Sequence, residues 1–383
     1  MEAKVDRTPT AARSGPRRVC CFCERWESGG IESFLCNILT RMDLSQMQVD
    51  IVAASLGQSV FTDRLRERGV GFYELSGSLR KMGKNHKLFR RLLKERQYDV
   101  LHVNAFQGLS LAYLDIARQE GVPIRIAHSH NTALRKSLAR PAKLWLHNRG
   151  KNKYTPAATH LWACSAPAAQ FLFSEKLWQT FRWIPNGVET DRFRYQEDAR
   201  CEVRAQLGLE DALVVGNVGR LCYQKNQDFL LDVFAHFHTR RPDSRLLLVG
   251  EGEDREALEE KVKALGLEKA VIFYGTSNQV ERLLWAMDLL AFPSRFEGLS
   301  VAAVEAQAAG LPILASDSVP GETKVLPLYT ALPLEAGAQV WSDRLEELAH
   351  IETDRPASAE AVKAAGFEVS EIAGDIQRFW MGA

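Results

Sequence analysis

Two glutamates, Glu297 and Glu305, stand eight positions apart in "SRFEGLSVAAVEAQAAGLP" (294–312). At about 100° per residue, a continuous helix would turn Glu305 roughly 80° from Glu297 and set it about two turns deeper. Small residues (Ala302, Ala303, Ala306, Ala308, Ala309) surround the second glutamate and suit close packing. A carboxylate buried there needs a partner, because unpaired burial costs roughly several kcal/mol. A ribose diol is one such partner; an internal structural hydrogen bond is the plainer one. Upstream, "GNVGRLCYQKN" (216–226) carries Arg220 and Lys225 on a glycine-bounded loop after a strand. Two cations on such a loop suit a diphosphate, although solvated surface charges read the same way. The amides of Gly298, Leu299 and Ser300 would open a helix, where an anion is favoured. Anchoring a nucleoside diphosphate, and stabilising it as it leaves, is the chemistry these residues suit together.

Positioning them requires strands that end at one cleft. In the first half "RVCCFC", "MQVDIVAAS", "DVLHVN", "IRIAHS" and "HLWACS" read as strands, with helices such as "IESFLCNILTRM" and "HKLFRRLLKER" between them. In the second half "ALVVGNVG", "SRLLLVG", "AVIFYG", "LLAFPS" and "PILAS" alternate with "QDFLLDVFAHFHTR", "DREALEEKVKALGL" and "VERLLWAMD". Alternation of this kind predicts α/β architecture with parallel sheets covered on both faces. The chain of 383 residues suits two domains rather than one core. We expect a tail over 1–17, a first Rossmann-like domain over 18–185 and a second over 186–358. A helical segment over 359–383 is expected to pack back toward the first. Pro185-Asn186-Gly187 marks the boundary as a turn signal. Doubly wound sheets bind ligands outside the carboxyl ends of their strands, so a cleft between two of them is the expected site.

Charge divides at the same boundary. Residues 1–185 carry 29 Lys and Arg against 15 Asp and Glu; residues 186–383 carry 20 against 33. The halves should attract each other, and the basic one favours an anionic partner. Seven cysteines without a CxxC pair point to neither a disulfide framework nor a zinc site. Reduced thiols and a cytoplasmic protein are the expectation. Two basic stretches stand out, "LRKMGKNHKLFRRLLKER" (79–96) and "LRKSLARPAKLWLHNRGKNK" (134–153). The second interleaves Leu and Trp145 with its cations, a pattern suited to the surface of an anionic membrane.

With these residues in view, "PSRFEGLSVAAVEAQAAGLPILASD" resembles the E-x7-E motif of the retaining glycosyltransferases of family four, whose fold is GT-B. The likeness continues through "ESGGIESFL" (27–35), "RIAHSHNT" (125–132), "PNGVETDRF" (185–193) and "LLLVGEGE" (246–253), and is nearest to capsular and exopolysaccharide transferases. The resemblance implies that Arg220 and Lys225 bind the donor diphosphate, Glu297 meets the donor sugar and Glu305 holds the ribose. His128 would face the transferred sugar, with Gly29 and Gly30 in the first loop near phosphates and acceptor. Gly219, Gly250, Gly298, Leu299 and Ser300 complete the implied donor-binding set. Ser300 departs from the proline common after "EGL" in that branch, and a serine can cap the helix instead.

The function so implied is retaining transfer of a sugar, from a UDP-sugar, to a growing surface polysaccharide or lipid-linked glycan. No two aspartates lie two residues apart, so no DxD element is present to hold a metal–nucleotide complex, and neither metal nor other cofactor is expected. Two rivals remain at this stage. An epimerase of the same architecture would act without an acceptor. A nucleic-acid binder would use the basic half, but "RRLLKER" lacks interleaved aromatics for stacking.

Overall fold

The computed structural model describes residues 15–134 and 140–382. Most of the expected tail lies outside them, but Arg17 belongs to the fold. It opens the first strand, and its Nε donates to Trp380 O at 3.0 Å.

The first sheet has seven parallel strands: β1 (Arg17–Trp26), β2 (Met47–Leu56), β3 (Gly71–Glu74), β4 (Val100–Ala105), β5 (Ile124–Ser129), β6 (His160–Ala163) and β7 (Arg182–Trp183). Their order is β3-β2-β1-β4-β5-β6-β7. The second sheet has six: β8 (Val214–Val218), β9 (Arg245–Val249), β10 (Val271–Gly275), β11 (Leu289–Phe292), β12 (Ile313–Ser316) and β13 (Tyr329–Leu332). Their order is β10-β9-β8-β11-β12-β13. All ladders within both sheets are parallel, so the central strands are buried on both faces and read as near-continuous apolar runs, interrupted by the buried His102, Asn104 and Asn217. Each order reverses once, between β1 and β4 and between β8 and β11. A crevice opens at such a reversal because the two following connections leave toward opposite faces. The loops after these four strands carry Glu27 to Gly29, Phe106, Gly219 to Lys225, and Pro293 to Gly298.

The chain crosses between domains twice. The outward crossing passes through Val188, and the return passes through 363–368. Val188 N donates to Phe367 O (2.8 Å) and Val369 N to Val188 O (3.0 Å). Glu368 also accepts from Thr190 N and Oγ1. The helix Val369–Met381 then packs on the first domain, burying Ile372, Ala373, Ile376 and Trp380 among Val19, Cys21 and Ile126. Spacings of three and four put those side chains on one helical face. Before the return crossing, the chain remains with the second domain through the helix Arg355–Val362.

Arg355 anchors that helix. Its guanidinium donates to Ala309 O, Leu284 O, Trp285 O and Met287 O, and lies 4.1 Å over the Tyr195 ring. Burial lowers it to about 10, with Arg200 adding repulsion. Arg355→Ala would leave Ala309 O without its donor, at about 1–3 kcal/mol, and would take one of two donors from Leu284 O, Trp285 O and Met287 O. Urea unfolding should show a loss of at least ~2 kcal/mol; a change below ~0.5 kcal/mol would contradict this role.

Candidate functional site

The loop after β8 sets the first cation. Gly219 has φ +153°, and a Cβ on it would meet Lys225 Cε at 3.2 Å. A Cβ on Gly250 would sit 2.1 Å from Gly219 O, so these glycines let the loops after β8 and β9 lie in contact. Lys225 Nζ donates to Glu297 Oε1 at 2.7 Å and stands 4.8 Å from the Phe292 ring centroid. Gln224 donates to Phe296 O (3.0 Å) and Glu297 Oε2 (3.4 Å), so both carboxylate oxygens are held. The motif containing Gln224 was legible; the role of this amide was not.

Glu297 precedes the helix rather than standing on it. That helix spans Val301–Ala308, with Ser300 as its N-cap accepting from Ala303 N at 3.3 Å. The 80° relation between the glutamates therefore does not apply, since Glu297 is loop. The first domain grips this loop. Thr132 Oγ1 donates to Glu297 O and Ser165 Oγ to Gly298 O, each at 2.7 Å. A Cβ on Gly298 would lie 2.0 Å from His130 O. Only glycine permits that approach.

A cavity of about 340 Å³ opens between the domains at this point. Lys225, Glu297, Gly298, Leu299 and Ser300 border it from one side and Gly30, Phe34 and His130 from the other. A second cavity of about 630 Å³ adjoins it, sharing Phe106, Asn131 and Gln224 as walls. Gly29 and Arg220 border the second. Arg220 Nε donates to Glu253 Oε2 at 2.9 Å, and its side chain is 68% exposed. The two expected diphosphate cations thus lie on neighbouring cavities instead of converging.

His128, expected to face the transferred sugar, does not border either cavity. It lies within the ladder of β5, fully buried, with Nδ1 3.0 Å from His102 Nε2. Burial holds it well below the usual imidazole range, so it is neutral. His130, just beyond the strand, borders the cavity instead; its Nε2 is 2.9 Å from Asn104 Oδ1. The two rings lie 4.0 Å apart, so His128 buttresses His130 from behind. Position past the last ladder pair distinguishes them, and strand boundaries are the least legible feature of a sequence.

Glu305 borders neither cavity, and its carboxyl has no hydrogen-bond partner among the described residues. Burial raises it to about 7, opposed by Arg192. The folded state therefore keeps a proton that the unfolded chain releases near pH 4.5. Stability from this neutral carboxyl is complete below about pH 4.5 and is lost as pH rises to about 7. Glu305→Gln should match wild type at pH 4 and gain on the order of 1–3 kcal/mol at pH 8. That is several degrees in Tm, and thermal melts at both pH values check it. An equal Tm at pH 8 would contradict it.

Comparison with known proteins agrees with this layout. Residues 28–192 match the model of Glycosyltransferase Family 4, and residues 200–364 that of Glycosyl transferases group 1. The chain is 30% identical over 347 residues to the putative glycosyltransferase EpsF of Bacillus subtilis, covering 88% of each. It is 27% identical over 237 residues to an Escherichia coli UDP-Gal:alpha-D-GlcNAc-diphosphoundecaprenol alpha-1,3-galactosyltransferase, covering 59% of this chain and 60% of that one. Among solved structures, Anabaena Alr3699/HepE in complex with UDP superposes with a TM-score of 0.73 at 19% identity, over 96% of this chain and 100% of that one. WaaG, a glycosyltransferase involved in lipopolysaccharide biosynthesis, gives 0.74 at 17%, over 95% and 100%. The chain belongs to glycosyltransferase family four, has the two-domain GT-B fold and is a glycosyltransferase.

Proposed function

We propose that the chain transfers a sugar from a UDP-sugar, with retention of anomeric configuration and without a metal, to a surface-polysaccharide or lipid-linked glycan acceptor. The observation that carries this reading is the Lys225–Glu297 pair beside the 298–300 amides at the floor of the interdomain cavity. Lys225 and those amides offer positive charge where a departing diphosphate gains negative charge, which lowers the barrier. The acceptor oxygen forms its bond to the anomeric carbon on the face the diphosphate leaves. The anomeric carbon–oxygen bond to phosphate breaks, and the acceptor's proton passes to a phosphate oxygen. Glu297 accepts donor-sugar hydroxyls once the diphosphate draws Lys225 away from it. The ribose role that the resemblance implies for Glu305 is tested separately, since its carboxyl borders neither cavity: if it accepts from the ribose, Glu305→Gln weakens UDP binding although it stabilises the free protein.

UDP as the nucleotide rests on the UDP complex of HepE and the galactosyltransferase relative. Another relative, from Mycolicibacterium smegmatis, is named for GDP-mannose, so the nucleotide is open to test. Screening UDP- and GDP-sugars for thermal stabilisation, with and without EDTA, tests the reading, because a ligand bound only by the folded state raises Tm. UDP-sugars should raise it equally in both conditions. A shift that needs manganese would contradict metal independence.

Contact with an anionic membrane belongs to the same proposal. No helix among the described residues is long and apolar enough to cross a bilayer. The helix Arg140–Tyr154 buries His147 and Gly150 and exposes Leu144, Trp145 and Leu146 beside Lys143 and Arg149. Residues 135–139 of that basic stretch lie outside the described residues. Each cation could gain about 1 kcal/mol near an anionic surface. The protein should sediment with phosphatidylglycerol vesicles and be released as salt rises. Equal binding to neutral vesicles would contradict the electrostatic part.

A further inference from the structure

Strand β4 carries two polar side chains in an otherwise apolar run. His102 and Asn104 are both fully buried and stand two residues apart, so they share one face of the sheet. In the ladders Asn104 pairs with Cys23 of β1 on one side and His128 of β5 on the other. It therefore sits at the reversal of strand order, near the carboxyl end that opens on the crevice. Burying an amide is costly unless it is hydrogen-bonded, so its bonds must be accounted for.

Two bonds account for this one. Asn104 Nδ2 donates to His102 O at 3.4 Å, so Oδ1 is the end that meets His130 Nε2 at 2.9 Å. A carboxamide oxygen only accepts, so His130 Nε2 carries the proton. Burial lowers His130 to about 3, so near neutral pH the ring has no second proton and Nδ1 is unprotonated. Phe34 (ring centroids 5.0 Å apart) and His128 (4.0 Å) hold the ring in this pose. Burial keeps His128 and His102 neutral as well. Asn186, just before the domain crossing, is the other hydrogen-bonding neighbour of His130. Lys225 and Glu297, paired with each other, border the same cavity as His130.

Resting on the function proposed above, we propose that Asn104 is a positioning residue for sugar transfer, fixing His130 as the Nε2–H tautomer and keeping it uncharged in the cavity wall. Asn104 borders neither cavity and acts only through His130. Its amide accepts the ring N–H as a carboxylate would, without the negative charge that would draw a second proton onto the imidazole. A charged ring would offer Glu297 a second cation and compete with donor-sugar hydroxyls for that carboxylate. The neutral ring leaves Lys225 as the cation that Glu297 exchanges for the donor.

Nitrogen-15 NMR of the free full chain reads the tautomer directly, with His130→Gln identifying the signals. Nε2 should be protonated and Nδ1 not, at about pH 7. Asn104→Asp keeps the shape and adds the charge. Its carboxylate raises His130, so an imidazolium forms below the raised value and is lost as pH rises through it. Turnover relative to wild type should be at least tenfold down at about pH 6 and recover toward about pH 9. Asn104→Leu, which cannot accept, should lose about tenfold in kcat and keep UDP affinity within twofold. A protonated Nδ1 in wild type, a relative turnover of Asn104→Asp that does not change with pH, or unchanged kcat in Asn104→Leu overturns the proposal. Where circular dichroism shows a variant poorly folded, the wild-type NMR decides. Absence of transfer by wild type from any UDP- or GDP-sugar overturns the underlying function instead, and the NMR of the free protein still decides the tautomer.

Discussion

Lys225→Ala should lower turnover by about 10²–10³-fold, the loss typical of removing one preorganised donor to a developing anion. That is roughly 2.7–4 kcal/mol in the barrier. Lys225 acts in two ways, and both are lost together. Its ammonium lines the same cavity as residues 298–300, and it pairs with Glu297, whose side chain is only 8% exposed. Without it, Glu297 would present an uncompensated carboxylate to an incoming diphosphate. Donor affinity should therefore fall along with turnover. Steady-state kinetics with saturating acceptor checks this; turnover within threefold of wild type would remove Lys225 from the site.

Gly298→Ala should be nearly as damaging for a different reason. The added methyl would lie 2.0 Å from His130 O and 2.8 Å from His130 C, which are backbone atoms that cannot rotate away. Relief must come from moving the loop after β11 away from the loop after β5. That movement breaks the Thr132–Glu297 and Ser165–Gly298 hydrogen bonds, which hold the domains together at the reacting end. A misplacement on the order of 1 Å can cost about 10²-fold in rate. The expected result is a loss of that size in kcat and a larger radius of gyration in solution scattering. Gly321→Ala, where a Cβ meets nothing within 4 Å, is the control. Unchanged kcat in Gly298→Ala would show that this contact is not needed for transfer.

The alternation of apolar runs and amphipathic stretches made the two parallel sheets legible, because central strands must be apolar on both faces. The strands it left out, β3, β7 and β13, are two to four residues long and lie at or near sheet edges, where pattern is weakest. Lys225, Glu297 and the 298–300 amides were readable for a related reason: strand ends, glycines and a helix start are local signals. Their partners were not. Gln224, His130, Thr132 and Ser165 act through contacts across the sheets and domains, and no local spacing encodes those. The separate placement of the two cations was not legible either. Arg220 and Lys225 are neighbours in sequence, yet Glu253 draws Arg220 to the second cavity while Glu297 draws Lys225 to the first.

Incubation with an isotope-labelled UDP-sugar and a glycoside acceptor, followed by NMR of the anomeric proton, tests the central claim most directly. The account predicts that label moves to the acceptor with its α configuration kept, in the presence of EDTA, and that UDP is released in equal amount. Inverted product would contradict retention, and consumption of the UDP-sugar into an epimer without acceptor would contradict transfer itself.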